Sequence, residues 1–402
     1  MHSSLAFVQL FFALGWTVYV IFLPGLLKLA GIDAGWLPWI LIIDQLLFAA
    51  ADVATGVWLD RSEHFMRTAG NWMTALVLGS CAVFVFLPLL AQSMPPWLFV
   101  LALFVWVICS SVLRVPPLVL LARYSTPQQP ATLRSPVAAY LFGLGVAGAV
   151  APYLTVLLRN RDPLLPFVLA SVALAVATLA LRRQLIKPAS ATPPATHPTA
   201  SSGLSSALPL LIAVGLFAFG IQLHAAVNSA KLFTRIAPGV PLEWLMPLFW
   251  AGFSVAMFPA SHWLARGAAH AGRTDPAGAN VLSLAGLIGG VALVACVIAP
   301  ALPLLIALQI VVGAAWGVVF LAAIAAAAEL GRAGREGGWI GATLALIALA
   351  TVGRIVLVLA ISPANSGAVG NALAAQLPWA TGVAWLVAAA VLGSLFLRRK
   401  AQ

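Results

Sequence analysis

The sequence predicts an all-α, polytopic membrane protein whose twelve transmembrane helices divide into two six-helix bundles. Three observations carry that reading. The chain of 402 residues is 62% hydrophobic and only 8% charged, whereas a soluble domain carries about 25% charged residues. Apolar runs of about 20 residues, the length that crosses a bilayer core, recur from one end to the other. One stretch near the middle, RRQLIKPASATPPATHPTASSGLSS, is rich in Pro, Ser, Thr and Ala. Such a composition cannot bury a core and reads as a flexible tether between bundles.

Taken in order, the runs lie at roughly 5–27, 37–59, 72–92, 97–121, 136–158 and 164–181, then at 208–230, 243–264, 280–299, 302–328, 339–361 and 379–397. They are numbered spans 1 to 12. The division predicted is an N-terminal bundle over 1–183, a cytoplasmic linker over 184–207 and a C-terminal bundle over 208–402. Span 1 begins at Leu5 with no basic stretch before it and no small-residue cleavage site after it, so it reads as a retained helix. Cys81, Cys109 and Cys296 fall inside apolar runs at spacings that suit neither a metal site nor a disulfide pair.

The net charge of +11 raises nucleic acid as a partner, but the basic residues sit in short breaks between apolar runs instead of lining one face. Topology accounts for them. With a cytoplasmic N-terminus, fourteen Lys and Arg, among them Arg61, Arg67, Arg182, Arg183, Arg335 and Arg398, fall on the inside and five on the outside. That bias predicts an integral protein of the cell (inner) membrane with both termini cytoplasmic. Enzyme classes fare poorly. No Gly-x-Ser-x-Gly, His-Glu-x-x-His or phosphate-binding glycine loop occurs, the loops are too short for a catalytic domain, and six scattered histidines offer no metal cluster. No metal or cofactor is expected.

The two remaining arginines, Arg114 and Arg354, lie within spans 4 and 11, and the span acids are Asp44 and Asp52, both in span 2. A carboxylate in hydrocarbon costs about 2.5–3.5 kcal/mol even on the insertion scale, so it faces a cavity, a partner charge or a proton path. Counting at 1.5 Å per residue puts Asp52 and Arg114 within about 3 Å in depth, and Asp44 and Arg354 both roughly 10 Å below the outer surface. Two ion pairs are therefore expected. Either could serve transport or only neutralise two charges for insertion. Arg114 could instead hold the carbonyls freed by Pro116 and Pro117. In span 7, His224, Asn228 and Lys231 recur on one helical face, and in span 1 so do Gln9, Phe12, Trp16 and Tyr19. Each set can line a binding site or simply pack, and an imidazole can hold substrate or a proton.

A faint repeat links the halves: Trp58-Leu59-Asp60-Arg61 ends span 2 and Trp263-Leu264-Ala265-Arg266 ends span 8, as in duplicated transporter bundles. Twelve spans, a long loop after the sixth, and Gly56, Asp60 and Arg61 at the end of span 2 together resemble the major facilitator superfamily over the whole chain. The second glycine and paired basic residues usual in that loop are absent here, where the sequence runs SEHFMRT. With Asp52 the stretch reads D-x3-G-x3-D-R, which is also similar to the glycoside-pentoside-hexuronide cation symporters, although Val53 stands where they carry proline. Arg114 supplies the charge of the superfamily's fourth-helix signature but is followed by Pro116 and Pro117. Gln309, Gly313 and Gly317 look like its uncharged copy in span 10. Gly143, Gly145, Gly148 and Pro152 loosely resemble the fifth-helix signature of antiporters.

The resemblance implies a monomeric secondary transporter that moves a small solute by alternating access, with helices 2 and 11 facing each other across the halves. A proton is the coupling ion expected from Asp44 and Asp52, and a small organic anion the substrate expected from the span arginines. The substrate and ion site would comprise Asp52, Arg114, His224, Asn228 and Gln9, and Asp44 with Arg354 would form an outer gate. A drug or metabolite efflux antiporter, a cation-coupled sugar symporter and a nontransporting receptor or scaffold are the alternatives. The bilayer itself is the remaining partner.

Overall fold

A computed structural model of the chain describes residues 2–62, 68–123, 130–185, 204–270, 277–331 and 334–400. Twelve described helices are long and apolar enough to cross a bilayer: Ser3–Leu29, Ala34–Arg61, Ala69–Ser93, Pro96–Ala122, Pro136–Leu158 and Leu164–Arg183, then Ala207–Ile236, Leu242–Leu264, Asn280–Ile298, Leu302–Leu330, Glu336–Ala360 and Val369–Ser394. They match the twelve apolar runs in order, and among the described residues there is no strand. Most of the 184–207 linker lies outside the described residues, as do Glu63, His64 and Arg67 after span 2 and Lys187, Arg273 and Arg332 of the charge tally.

Three spans depart from a plain helix, each for a local reason. Span 4 breaks into Pro96–Val112 and Val115–Arg123. Pro116 and Pro117 have no N–H to give the carbonyls of Val112 and Leu113, so the helix cannot run through. The chain tightens instead, with Leu113 N donating to Ser110 O (3.2 Å) and Arg114 N to Ser111 O (3.1 Å). Span 7 contains a π-helical turn at His224–Asn228, a one-residue insertion that apolar periodicity does not register. The helix carrying span 12, Pro363–Lys400, kinks at Gly367, whose φ of 51° only glycine adopts without strain.

The most extensive helix contacts join the two halves of the chain: span 2 lies against span 11 and span 5 against span 8. Within the first half, span 1 packs on spans 5 and 6, span 3 on spans 4 and 6, and span 2 on span 4. Within the second, span 8 packs on span 10, span 9 on spans 10 and 12, and span 7 on spans 11 and 12. Each half holds an aromatic core. Phe84 stacks on Trp106 and Phe167 in the first half, at centroid distances of 4.6 and 4.2 Å. In the second, Trp385 meets Phe217 edge-on and donates its indole N–H to the Phe217 carbonyl at 2.9 Å. Large apolar side chains such as Val255, Leu165 and Val291 point outward and exposed, as a bilayer-facing surface requires.

Glycines set how closely the halves meet. A Cβ on Gly56 would strike the Gly337 carbonyl, one on Gly337 would strike that of Gly56, and one on Gly341 would strike that of Asp52. Spans 2 and 11 therefore touch backbone to backbone. On span 5, Gly145 and Gly148 receive Phe253, Ser254 and Trp250 of span 8, and Phe142–Phe258 and Tyr153–Trp244 ring pairs flank them at 5.4 and 5.6 Å.

Candidate functional site

The span 2 acids occupy different surroundings. Asp52 is completely buried and forms an ion pair with Arg114, Nη1 to Oδ2 at 3.2 Å, the arginine side chain being 19% exposed. The pair is end-on and off the hydrogen-bond direction, so neither Asp52 oxygen has a hydrogen-bonded partner among the described residues. It is charge pairing, not the two-pronged clamp arginine makes at its strongest. The guanidinium also lies over the Phe48 ring, 4.7 Å from its centroid, where the π face adds attraction. The break in span 4 puts Arg114 at the junction of two helix segments. No bond from it to the carbonyls freed by the prolines is formed among the described residues.

Asp44 is equally buried, but its partner is neutral. The Tyr19 hydroxyl of span 1 donates to Asp44 Oδ2 at 2.8 Å, while Oδ1 has no partner. Tyr19 is itself held between Trp16 and Trp106, at 4.9 and 4.8 Å between centroids. Among the described residues Asp44 makes no ion pair with Arg354, whose Nε is buried without an acceptor. Depth alone had suggested that pair. The geometry adds which face Asp44 presents, and in this conformation that face meets span 1.

A third polar group lies in the second half. His224 Nε2 and Gln309 Oε1 are 3.1 Å apart, joining the π turn of span 7 to span 10. Asn228, at the other end of the turn, is buried with neither side-chain atom hydrogen-bonded among the described residues, and Gln309 Nε2 is likewise unmatched. Lys231, expected on the same face, is exposed, because the π turn resets the helical phase after Asn228. Gln9 is buried on span 1 with no hydrogen bond among the described residues.

At the far end of span 2, Asp60 reaches across to span 11. Its two carboxylate oxygens accept from Gly337 N at 2.9 Å and Gly338 N at 2.7 Å. These amides belong to the first turn of span 11, whose own N-cap residue, Arg335, makes no side-chain cap. Asp60 is thus a capping acid supplied by another helix, favourable both as a hydrogen-bond acceptor and as a negative charge at a helix start. Gly56, one turn earlier, gives the close approach that brings Asp60 there, and Arg61 is exposed. Gly337 and Gly341 are spaced as a small-xxx-small interface, and that signal was present in the sequence GGWIG. Tyr19 and Gln309 were visible as polar residues, but nothing in the sequence joined them to Asp44 and His224.

Among the described residues no group of three His, Cys, Asp or Glu side chains gathers as metal ligands would. The twelve-helix fold has counterparts among solved structures. Three solved structures share it over nearly the whole length. A bacterial homologue of the iron transporter ferroportin, in an outward-facing state, superposes with a TM-score of 0.69 at 14% identity, covering 98% of each chain. The human organic anion transporter MFSD10 gives 0.67 at 15% identity, covering 97% of this chain and 98% of its own. A peptide transporter in complex with sulfate gives 0.64 at 14% identity, covering 98% and 94%. No protein-family model matches the chain, and no curated protein sequence does.

Proposed function

We propose that the chain is a proton-coupled secondary transporter of a small organic anion, working by alternating access with both termini in the cytoplasm of a cell's inner membrane. The observation that carries this is the buried Asp52–Arg114 pair, set in a transporter fold. While Asp52 is ionised, it neutralises Arg114 and offers a substrate carboxylate no net attraction. Once Asp52 takes a proton, the guanidinium is released and can hold a carboxylate in its place. Proton and anion then bind together or not at all, and they travel together. An organic anion transporter among the structural neighbours is compatible with this reading.

The Asp60 contact with span 11 closes the cytoplasmic side in this conformation, so rocking of the halves must break it before the site opens inward. At the opposite side, Asp44 and Arg354 are proposed to pair in the inward-open state and to separate in the state described. A gate of that kind biases the cycle by its differential energy. His224, Asn228 and Gln9 complete the proposed solute site.

Flux in proteoliposomes tests the coupling. An inward proton gradient should drive accumulation of a labelled monocarboxylate. Arg114→Gln should abolish binding, and Asp52→Asn should keep exchange of bound anion while losing proton-driven accumulation. Uptake indifferent to both pH gradient and membrane potential would leave a facilitator and sink the coupling.

A further inference from the structure

The polar group in the second half carries unmet hydrogen-bonding capacity and no charge of its own kind to satisfy it. His224 and Gln309 already share one contact at 3.1 Å. Among the described residues, Asn228 keeps a free donor and a free acceptor, and Gln309 a free donor, all buried. Exchanging the oxygen and nitrogen of either amide changes none of this: Asn228 would still have both functions idle, and Gln309 one. Buried polar atoms are otherwise almost always matched, and an unmatched set in a folded protein points to a water or a ligand. His224 and Asn228 lie at the two ends of the π turn of span 7, and Gln309 meets that turn through His224; such turns are frequent at functional sites.

We infer that Asn228, Gln309 and His224 form an uncharged subsite for a hydroxyl or carboxamide group of the transported solute. Such a group donates to Asn228 Oδ1 while accepting from Asn228 Nδ2 or Gln309 Nε2. This rests on the transport reading above and deepens it: the solute carries a neutral donor–acceptor group in addition to the carboxylate that Arg114 would hold.

Purified full-length protein in lipid nanodiscs provides the test, with thermal-shift titration against a fixed panel. The panel pairs propionate with lactate and butyrate with 3-hydroxybutyrate and succinamate, and adds neutral erythritol and acetamide. Wild type should bind the hydroxyl- and carboxamide-bearing acids at least about tenfold more tightly than the plain ones. Asn228→Leu and Gln309→Met should each bring that ratio to near one. Equal binding of plain and substituted acids overturns the subsite and leaves the anion reading standing. Binding of erythritol or acetamide alone, lost in both variants, keeps the subsite and removes the anion. No shift with any panel member overturns the subsite assignment. A ligand-free control guards against a packing role: Asn228→Leu should melt at or above the wild-type temperature, because an idle amide is replaced by a matching apolar shape. A clear drop would mean that Asn228 is already satisfied by a held water, and would overturn the inference.

Discussion

Among the described residues Tyr19 supplies the one hydrogen bond Asp44 receives, and that makes the two span acids chemically unequal. Asp52 has an arginine and Asp44 a phenol, so they should respond differently to mutation. Tyr19→Phe leaves a buried carboxyl with no partner, a loss of about 1–3 kcal/mol, and should lower the melting temperature. In an Asp44→Asn background the same change should cost less, and a double-mutant cycle measures the difference. For Asp52 the corresponding cycle with Arg114 should show coupling of either sign, within about 0.5–3 kcal/mol. Additive effects there would mean that the 3.2 Å pair contributes nothing to the fold. The Asp52–Arg114 depth match was legible in the sequence, because both lie on helices counted from the same surface. The Tyr19–Asp44 bond was not, since which faces two helices present to each other is a property of packing and not of either helix.

At the scale of elements, the interlock of spans 2 and 11 depends on residues with almost no side chain. Gly341→Leu would drive a branched side chain into the Asp52 carbonyl and should hold the halves apart, so that cysteines placed in the proposed solute site label faster from the proposed cytoplasmic side. Asp60→Asn keeps the shape but loses the charge, and charge-assisted bonds are worth about 1.5–3 kcal/mol. It should shift the same labelling in the same direction but less. Normal labelling in both variants would remove the latch. Span 4 offers a complementary experiment. Replacing Pro116 and Pro117 by Ala restores the two missing N–H donors, should straighten the break, and should turn Arg114 away from Asp52, uncoupling the pair in the mutant cycle above. The prolines announced that break in the sequence. The π turn of span 7 announced nothing, because an inserted residue in a helix apolar on most faces leaves hydropathy unchanged, and the expected His224–Asn228–Lys231 stripe failed at Lys231 for that reason.

For the whole molecule, the order and number of spans were legible because the bilayer imposes length and apolarity on every crossing. The pairing of span 2 with span 11 was expected from the family resemblance, and the structure makes it the most extensive contact between halves. Substrate chemistry was far less legible. The subsite proposed for it rests on a few polar atoms contributed by spans distant in sequence, such as Asn228 and Gln309, whose unmet bonds appear only when the helices are assembled. Orientation remains a prediction with its own measurement. A reporter fused after Ala189, within the linker, should be active only in the cytoplasm, and activity on the other side would invert the topology.

The capping of span 11 by a residue of span 2 makes one helix incomplete on its own. When the halves part at that end, the Gly337 and Gly338 amides lose their acceptors and meet solvent, and the first turn of span 11 has no side chain from Arg335 to replace them. Their hydrogen–deuterium exchange then becomes a clock for the proposed transport cycle. Protection at these two amides should scale with the fraction of time the halves are closed at the Asp60 end, rising with solutes that favour that closed state and falling with Asp60→Asn. The protein would carry, in two backbone N–H groups, a label-free gauge of its own conformational populations.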